Sequence, residues 1–228
     1  MRQALGAKLN ESGFVVRDEI LSLEAIEQLR SEVDRVLAGS TSRGGARNAL
    51  EYSARLRDES THGVVAGVAE QVLGSGVRPT KLTIFNKTPE ANWLIRWHQD
   101  STITVREQKQ VPGFVGWSVK EGVVHVHPSA EVLEGVLALR LHLDDTPAEN
   151  GALRVLPGSH RFGVLSRDAI QAKREEISEV TCEVPRGGMM LMRPLLVHAS
   201  AKASVPRNRR VLHFEYSAKA LPGGLEWA

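Results

Sequence analysis

From Lys81 onward the chain consists of short runs rich in leucine, β-branched and aromatic residues, and glycine or proline separates most of them. Runs of this kind are typical of β-strands. In order they are KLTIF, NWLIRWH, GVLALRLHL, ALRVL, EVTCEV, GMMLM and VLHFEY. A single charged, helix-compatible segment, from Ser166 to Glu179, interrupts the series. The pattern disfavours alternating strands and helices and favours an antiparallel sandwich or barrel.

The residues before this series have a different pattern. Ser22 can cap a helix in which apolar residues recur every three or four positions, and Gly39 can end that helix. A second segment with the same spacing runs from 61 to 73, and a polar, glycine-rich connector at 40–47 lies between the two. The sequence therefore predicts that helices form the first third of the chain.

Together these patterns predict a mainly β protein with flanking helices, folded as a double-stranded β-helix, that is, a cupin-like jelly roll. The chain has 228 residues, a length at which all-β folds commonly remain one domain. We expect a single domain over residues 1–228. Within it, residues 1–80 would form a mainly helical part and residues 81–217 the double-stranded β-helix core.

Composition limits the class of partner. The 29 Lys and Arg residues nearly balance the 27 Asp and Glu residues and are scattered, which argues against a nucleic-acid partner. No stretch approaches the roughly 20 apolar residues of a membrane span, so we expect a cytoplasmic protein with no membrane partner. Cys182 is the only cysteine, which excludes an internal disulfide and a thiolate-rich zinc site.

Two side chains able to bind a metal stand at the end of one predicted strand. His98 and Asp100, in the segment WHQD, lie two positions apart, so both project from the same face of the strand. Imidazole and carboxylate suit Fe(II), and two histidines with one carboxylate leave positions open for a co-substrate and oxygen. His198, in RPLLVHAS, follows two further strand-like runs and is our candidate for the second histidine.

An arginine able to bind a dicarboxylate follows this histidine. Arg209 comes eleven residues after His198, at the start of a predicted strand. A guanidinium group there can hold a carboxylate through two parallel hydrogen bonds. Arg210 must point to the opposite face of the strand, so only one of the two arginines can enter the barrel. The hydrophobic pattern alone does not decide which one it is.

Three segments, in a fixed order, carry a resemblance to a known family. They are FNKTPEANWLIRWHQD, LRLHLDDTPAENGALRVLPGSHR and RPLLVHASAKASVPRNRRVLHFEY. A histidine and an aspartate two residues apart are a weak signal alone, but the ordered set is specific. It resembles the phytanoyl-CoA dioxygenase family, within the 2-oxoglutarate oxygenases, and the resemblance covers roughly Lys81 to Tyr216.

The resemblance implies the content of the site. Fe(II) would be held by His98, Asp100 and His198, and the reaction would use 2-oxoglutarate as co-substrate together with O2. The family's spacing from the distal histidine makes Arg209 the anchor for a carboxylate of 2-oxoglutarate.

The resemblance also implies an activity and two further pocket residues. Lys87 and Trp97 match family positions near the pocket and are candidate co-substrate-binding residues. The expected reaction is hydroxylation of an unactivated carbon in a small-molecule or acyl substrate, with release of succinate and CO2. Asp100 argues against halogenation, because halogenating relatives carry a small residue at that position. Desaturation, epimerisation or cyclisation by the same cofactors is the alternative, and a non-catalytic metal-binding barrel is a further one.

Other residues permit rival interpretations. His125 and His127 form a second histidine pair on a possible strand, for which we favour a substrate-side loop or a polar surface. Arg140 could meet the co-substrate or form an ion pair with Asp144 or Asp145, and we leave it outside the site. The segment 101–128 lacks strong periodicity and is our candidate for a lid that closes over the pocket.

The remaining histidines on predicted strands, including His142 and His213, are each interpreted as structural residues. The substrate is expected to be a small molecule. The sequence shows no basic surface dedicated to a coenzyme A group, so a small metabolite and an acyl thioester remain equal candidates. The sequence carries no indication of the oligomeric state.

Overall fold

The computed structural model describes residues 2–40, 42 and 44–228. The helices in this part of the chain are α1 (Arg2–Ser12), α2 (Leu23–Ala38), α3 (Ala49–Tyr52), α4 (Ala54–His62), α5 (Val64–Leu73), α6 (Ala130–Glu134) and α7 (Arg167–Glu176). The strands are β1 (Phe14–Arg17), β2 (Gly45–Ala46), β3 (Arg78–Lys87), β4 (Ile95–His98), β5 (Ile103–Val105), β6 (Val115–Lys120), β7 (Val123–His127), β8 (Val136–His142), β9 (Leu153–Val155), β10 (Val180–Cys182), β11 (Met189–Met192), β12 (His198–Ser200) and β13 (Arg209–Ser217).

The helices predicted for the first third of the chain are confirmed. The hydroxyl of Ser22 accepts a hydrogen bond from the backbone N–H of Ala25 at 3.2 Å, which satisfies a donor that the first turn of α2 would otherwise leave free. Gly39 follows the last residue of α2. The second predicted segment is helical as well, divided into α4 and α5, and Gly74 follows the last residue of α5. None of the helices in the described part of the chain is long and apolar enough to cross a membrane.

Two antiparallel sheets build the core. The larger has the strand order β1-β11-β8-β13-β3-β2, and the smaller has the order β10-β9-β12-β4. The helices α2, α4 and α5 cover the outer face of the larger sheet. The alternating leucines of β8, including Leu139 and Leu141, lie on that outer face and are fully buried against the helices.

The other face of the larger sheet looks toward the smaller sheet and is unusually polar. On β13 the inward residues include Arg209 and His213, and their Cα partners on β3 are Lys87 and Thr83. On β8 the inward residue opposite His213 is Arg140. Leucines occupy one face of β8, and Ala138, Arg140 and His142 occupy the other, which is therefore the interior face. The leucines of β8 lie on the face covered by the helices, and its polar residues face the space between the two sheets.

Two parts of the chain differ from the sequence-based expectation. The candidate lid, 101–128, lacks strong periodicity in its sequence, but it contains a three-stranded antiparallel sheet in the order β5-β7-β6. Its apolar residues, among them Phe114 and Val126, pack with Trp227 into a separate cluster. The first 80 residues also supply two strands to the larger sheet, because β1 pairs with β11 and β2 pairs with β3.

Candidate metal centre

The smaller sheet brings the three sequence-predicted metal ligands together. His98 on β4 and His198 on β12 are Cα partners across an antiparallel pair, and their ring centroids lie 4.3 Å apart. Asp100 comes directly after β4, where its backbone N–H donates to the carbonyl of Pro194 at 2.9 Å. One possible ligand atom from each of the three side chains lies within 4.8 Å of the other two. Within the described residues, this is the one cluster of three or more such groups.

Local hydrogen bonds orient both imidazole rings. Nδ1 of His98 lies 2.8 Å from the carbonyl oxygen of Arg96, and Nδ1 of His198 lies 2.8 Å from that of Leu196. A carbonyl oxygen can only accept, so each Nδ1 carries the proton and each Nε2 presents its lone pair. The Nε2 atoms of His98 and His198 lie 3.6 Å and 3.8 Å from the Asp100 carboxylate. The Nε2 lone pairs of both histidines and the Asp100 carboxylate are therefore directed toward one common point.

Charge and burial set the protonation of these groups. Burial lowers the pKa of His198 to about 4, with the Asp100 charge opposing the shift, so this ring is neutral near pH 7. Burial would raise the pKa of Asp100, but the neighbouring histidines His198, His98 and His213 hold it well below its ordinary value. Burial lowers the pKa of His98, but the hydrogen bond to Asp100, the Asp100 charge and the nearby backbone carbonyls together raise it overall. A bound cation would compete with a proton for the Nε2 lone pair of His98.

The donor set fits a divalent iron ion. Two imidazole nitrogens and one carboxylate form the ligand set of non-haem iron oxygenases, in which the remaining coordination positions stay open. The oriented Nδ1–H groups are the second layer of hydrogen bonds that fixes such ligands. These residues therefore have the chemistry and the preorganisation to hold Fe(II).

A buried pair of cations lies between the same two sheets. Lys87 Nζ donates to the Ser200 hydroxyl at 3.0 Å and to the Ala201 carbonyl at 2.5 Å. Arg209 Nη1 donates to the Gly151 carbonyl and, at 3.3 Å, to the same Ser200 hydroxyl. Burial and the Arg209 charge lower the pKa of Lys87 to about 7, and burial lowers that of Arg209 to about 9.

This pair has no anionic partner within the described chain. Neither Lys87 nor Arg209 forms an ion pair with a described carboxylate, and the buried Nε of Arg209 has no hydrogen-bond partner. Two like charges without a counterion are costly in a buried setting. Arg210, by contrast, points to the other side of β13 and binds Asp144 and Asp34. The pair of Lys87 and Arg209 therefore has the properties of an anion-binding site.

The structure does not bring Trp97 to this pair. The Trp97 ring lies 5.3 Å from the guanidinium carbons of Arg154 and Arg174, in a cavity along α7. The tryptophan near the cation pair is Trp93, whose ring centroid is 5.6 Å from Lys87 Nζ.

Sequence reasoning also left two interior residues outside the site. His213 Nε2 lies 3.9 Å from the Asp100 carboxylate, and Arg140 Nη1 lies 2.9 Å from His213 Nδ1. Arg140 does not pair with Asp144, which is occupied by Arg210. The strand alternation of β13 contained this signal, because a residue four positions after Arg209 must face the same way.

The second histidine pair does not form a metal site. His125 is buried on β7, while His127 is exposed. Both ring nitrogens of His125 are buried without a hydrogen-bond partner, and burial lowers its pKa to about 4. The interpretation of His125 as a loop or surface residue is therefore wrong, since it is an uncharged interior residue of a strand.

Comparisons with known proteins agree with this architecture. The family model "Phytanoyl-CoA dioxygenase" matches residues 9–211. A curated relative, the ectoine dioxygenase of Nocardia farcinica, is 27% identical over 192 residues, which are 77% of this chain and 57% of the relative. The chain thus spans little more than half the length of that relative.

Solved structures share the fold. The epimerase SnoN, in complex with Fe3+, alpha-ketoglutarate and nogalamycin RO, has a TM-score of 0.72 at 19% identity, over 98% of this chain and 91% of its own. AviO1 from Streptomyces viridochromogenes has a TM-score of 0.71 at 24% identity, over 97% of each chain. Identities this low show the fold alone, and the predicted mainly β double-stranded β-helix with flanking helices is confirmed.

Proposed function

Because this chain belongs to the phytanoyl-CoA dioxygenase family, we propose that it is an Fe(II)- and 2-oxoglutarate-dependent dioxygenase. The observation that carries the proposal is the cluster of His98, Asp100 and His198, whose ligand atoms lie within 4.8 Å of one another. These three residues would hold the iron. We also propose that the chain forms one oxygenase domain, with residues 81–217 as its core.

The bound iron, with 2-oxoglutarate and O2, supplies an oxidant strong enough to attack an unactivated carbon while 2-oxoglutarate becomes succinate and CO2. Arg209 and Lys87 bind a carboxylate of 2-oxoglutarate, which supplies the anion that this pair lacks. Ser200 keeps the two cations in position, because its hydroxyl accepts a hydrogen bond from each. The geometry of the cluster supports the metal-binding role of the three ligands. Burial and unpaired charge support the co-substrate-binding role of Arg209 and Lys87.

His213 is placed to keep Asp100 ionised and oriented. Arg140 is always protonated and can only donate, so Nδ1 of His213 accepts and its Nε2 carries the proton. That Nε2–H faces the carboxylates of Asp100, at 3.9 Å, and Glu215, at 3.5 Å. Arg140 and His213 are thus positioning residues that act on the iron site through Asp100.

We propose hydroxylation of a small-molecule substrate as the outcome. The curated relative is named as a dioxygenase, and Asp100 fills the position that a halogenase would leave open. The structural neighbour SnoN is named as an epimerase, so epimerisation, desaturation and cyclisation by the same cofactors are the alternative outcomes.

Product analysis in a metabolite screen tests these outcomes. Candidate substrates are supplied to the anaerobically iron-loaded protein with 2-oxoglutarate, and succinate is measured after O2 is admitted. Hydroxylation adds one oxygen atom to the substrate, desaturation or ring closure removes two hydrogen atoms, and epimerisation leaves the formula unchanged. A protein that binds iron and never forms succinate above the background of unloaded protein would be a non-catalytic metal-binding barrel.

Gly151→Ala is expected to weaken 2-oxoglutarate binding without removing any charge. Gly151 has a φ of +75°, and a Cβ added there would lie 2.9 Å from Lys87 Nζ and 3.4 Å from Arg209 Nη1. We expect the Michaelis constant for 2-oxoglutarate to rise about fivefold, equivalent to ~1 kcal/mol. Gly122→Ala is the control, because its φ is +81° but an added Cβ would meet nothing within 4 Å. The positive φ should cost each variant about 1–2 kcal/mol of unfolding free energy, and Gly151→Ala should lose more, because its Cβ would also lie 2.9 Å from the Ala201 carbonyl oxygen. An equal Michaelis constant in the two variants would contradict the proposed anchor.

The affinity for 2-oxoglutarate should fall as the pH rises through neutrality. The pKa of Lys87 in the free protein is about 7, and a carboxylate bound beside the ammonium group raises it in the complex. Binding strength is therefore full below pH ~7, and decreases by up to about tenfold per pH unit until the pKa of the complex is reached. The test measures the dissociation constant for 2-oxoglutarate in the wild type and in Lys87→Met from about pH 6 to 9. The ratio of the two constants at each pH removes the effect of every group that titrates alike in both proteins. A ratio independent of pH would show that Lys87 does not bind the co-substrate.

A further inference from the structure

A cavity of about 680 Å³ lies along α7, against β4 and β9. Its lining includes His98 of the candidate metal centre, on the edge strand β4, whereas Trp97, Arg154 and Ala199 line it from the face of the smaller sheet that is turned away from the interior. A ligand in the cavity would reach the metal centre past the edge of β4. The volume is within the range of about 300–1,000 Å³ that is usual for small-molecule sites. Apolar side chains, among them Leu94 and Ile170, form part of the lining. Arg209 and Lys87 do not line it, so it is separate from the proposed co-substrate anchor.

The charged residues of this cavity all have one sign. Four arginines line it, namely Arg96, Arg154, Arg167 and Arg174, and no aspartate or glutamate does. The chain as a whole has 29 basic and 27 acidic residues. The lining of the cavity is therefore strongly basic, although basic and acidic residues nearly balance in the chain as a whole.

Most of this charge is not compensated within the described chain. Arg154 pairs with Glu179 at 3.0 Å. Arg174 donates to the neutral side chain of Gln171 at 2.7 Å. Neither Arg96 nor Arg167 has a partner among the ion pairs of the described residues. The arginines around one cavity create a positive potential that attracts an anion and orients it.

The indole of Trp97 gives two of these arginines a fixed position. The guanidinium carbons of Arg154 and Arg174 each lie 5.3 Å from its ring centroid. Contacts of this kind hold a guanidinium group over an aromatic ring while its N–H groups remain free to donate. Guanidinium groups are well suited to carboxylates and phosphates, which accept two parallel hydrogen bonds.

We propose that this cavity binds the acid group of an anionic small-molecule substrate and directs the rest of that molecule toward the metal centre. The inference rests on the proposed function, which it deepens by naming the class of substrate. The apolar lining residues contact the uncharged part of the ligand. A nucleic-acid strand is a poorer match, because strands bind along grooves with several exposed aromatic side chains, whereas the aromatic ring here already contacts two guanidinium groups.

Binding of matched aromatic probes to the intact chain tests the acid-group site. The probes are 1-naphthyl phosphate, 1-naphthoate and the uncharged 1-naphthol, measured by calorimetry without iron or 2-oxoglutarate. We expect at least one of the two anions to bind about tenfold or more tightly than 1-naphthol. The order of the two anions distinguishes a phosphate-bearing from a carboxylate-bearing substrate.

Arginine variants assign the binding to this cavity. Arg167→Gln and Arg174→Gln should each weaken binding of the preferred anion by about tenfold. Arg186→Gln removes the same charge from an exposed position outside the cavity and should have no effect. Equal affinity for 1-naphthol and both anions, or equal affinity in all three variants, would overturn the proposal.

A second measurement separates this proposal from the proposed function. In iron-loaded protein, acids from a metabolite library should stimulate succinate release, and their amide or alcohol counterparts should not. Arg174→Gln should raise the Michaelis constant for the stimulating acid and leave that for 2-oxoglutarate unchanged. Stimulation by acids and by their neutral counterparts alike would overturn the anionic substrate class. Absence of succinate with every compound would contradict the proposed function, while the probe titrations would still decide the anion site.

Discussion

His198→Ala should lower the affinity of the protein for Fe(II) by more than about a hundredfold and remove most of the 2-oxoglutarate decarboxylation. Loss of an outer hydrogen-bonding partner of a metal ligand already costs about 10–100-fold, and here a ligand itself is lost. The His198 ring is buried and neutral, and its Nε2 lies 3.8 Å from the Asp100 carboxylate. Removing it leaves two ligands, on one side of the site. Anaerobic titration of the wild type should reach about one Fe(II) per chain.

His127→Ala is the matched control for this substitution. His127 belongs to the rival histidine pair but is exposed on β7, so the variant should bind iron as the wild type does. His98→Ala and Asp100→Ala should resemble His198→Ala in both iron binding and succinate release. Wild-type activity in His198→Ala, or loss of iron binding in His127→Ala, would mean that the metal centre has been assigned to the wrong histidines.

Arg209→Lys should raise the Michaelis constant for 2-oxoglutarate by about tenfold or more, equivalent to at least ~1.4 kcal/mol. Lysine keeps the positive charge but cannot form two parallel hydrogen bonds to a carboxylate. The shorter reach of a single ammonium group also leaves the Gly151 carbonyl and the Ser200 hydroxyl without the donor that both share. Steady-state kinetics at saturating O2, with succinate as the measured product, give the constant.

Arg210→Lys is the neighbouring control, and the structure predicts a different defect for it. Arg210 makes hydrogen bonds to Asp144 through Nε and Nη2, each at 2.9 Å. Lysine would lose this paired geometry, so the free energy of unfolding should fall by about 1.5–3 kcal/mol, with little change in the Michaelis constant. The opposite assignment of the two defects would require a shift of β13 by one residue.

Of the site residues, the two candidate metal ligands that are neighbours in the sequence were the most predictable. A histidine and an aspartate two positions apart on a strand must share a face, and the structure places both beside His198. The alternation of β13 likewise limited the choice between Arg209 and Arg210 to two registers. The alternation alone could not identify the correct register. In this sheet the apolar face lies under the helices and the interior face is polar, so hydrophobicity does not show which face is inside.

The rest depended on contacts between distant segments. Trp97 was expected near the co-substrate, yet as the strand neighbour of His98 it faces away from the interior and contacts Arg154 and Arg174. The cavity that it borders exists only because α7 packs near β4, and sequence spacing does not encode that packing. The contact between Arg140 and His213 likewise depends on how β8 and β13 align, which makes these two residues cross-strand partners.

The strand order of the larger sheet also has a consequence for how the protein acquires its structure during translation. One of its two central strands, β13, lies between β8 and β3, and β1 pairs with β11. Phe14 is synthesised long before Met192, with which it pairs, so β1 has to wait for β11. Contacts so distant in sequence slow folding, because a long chain segment must be closed before any pairing compensates for the lost entropy. Until β13 has left the ribosome, β3 and β8 have unpaired edges that invite association with other chains. Slower translation would lengthen that interval, so the yield of folded protein should depend on chaperones that shield nascent strands.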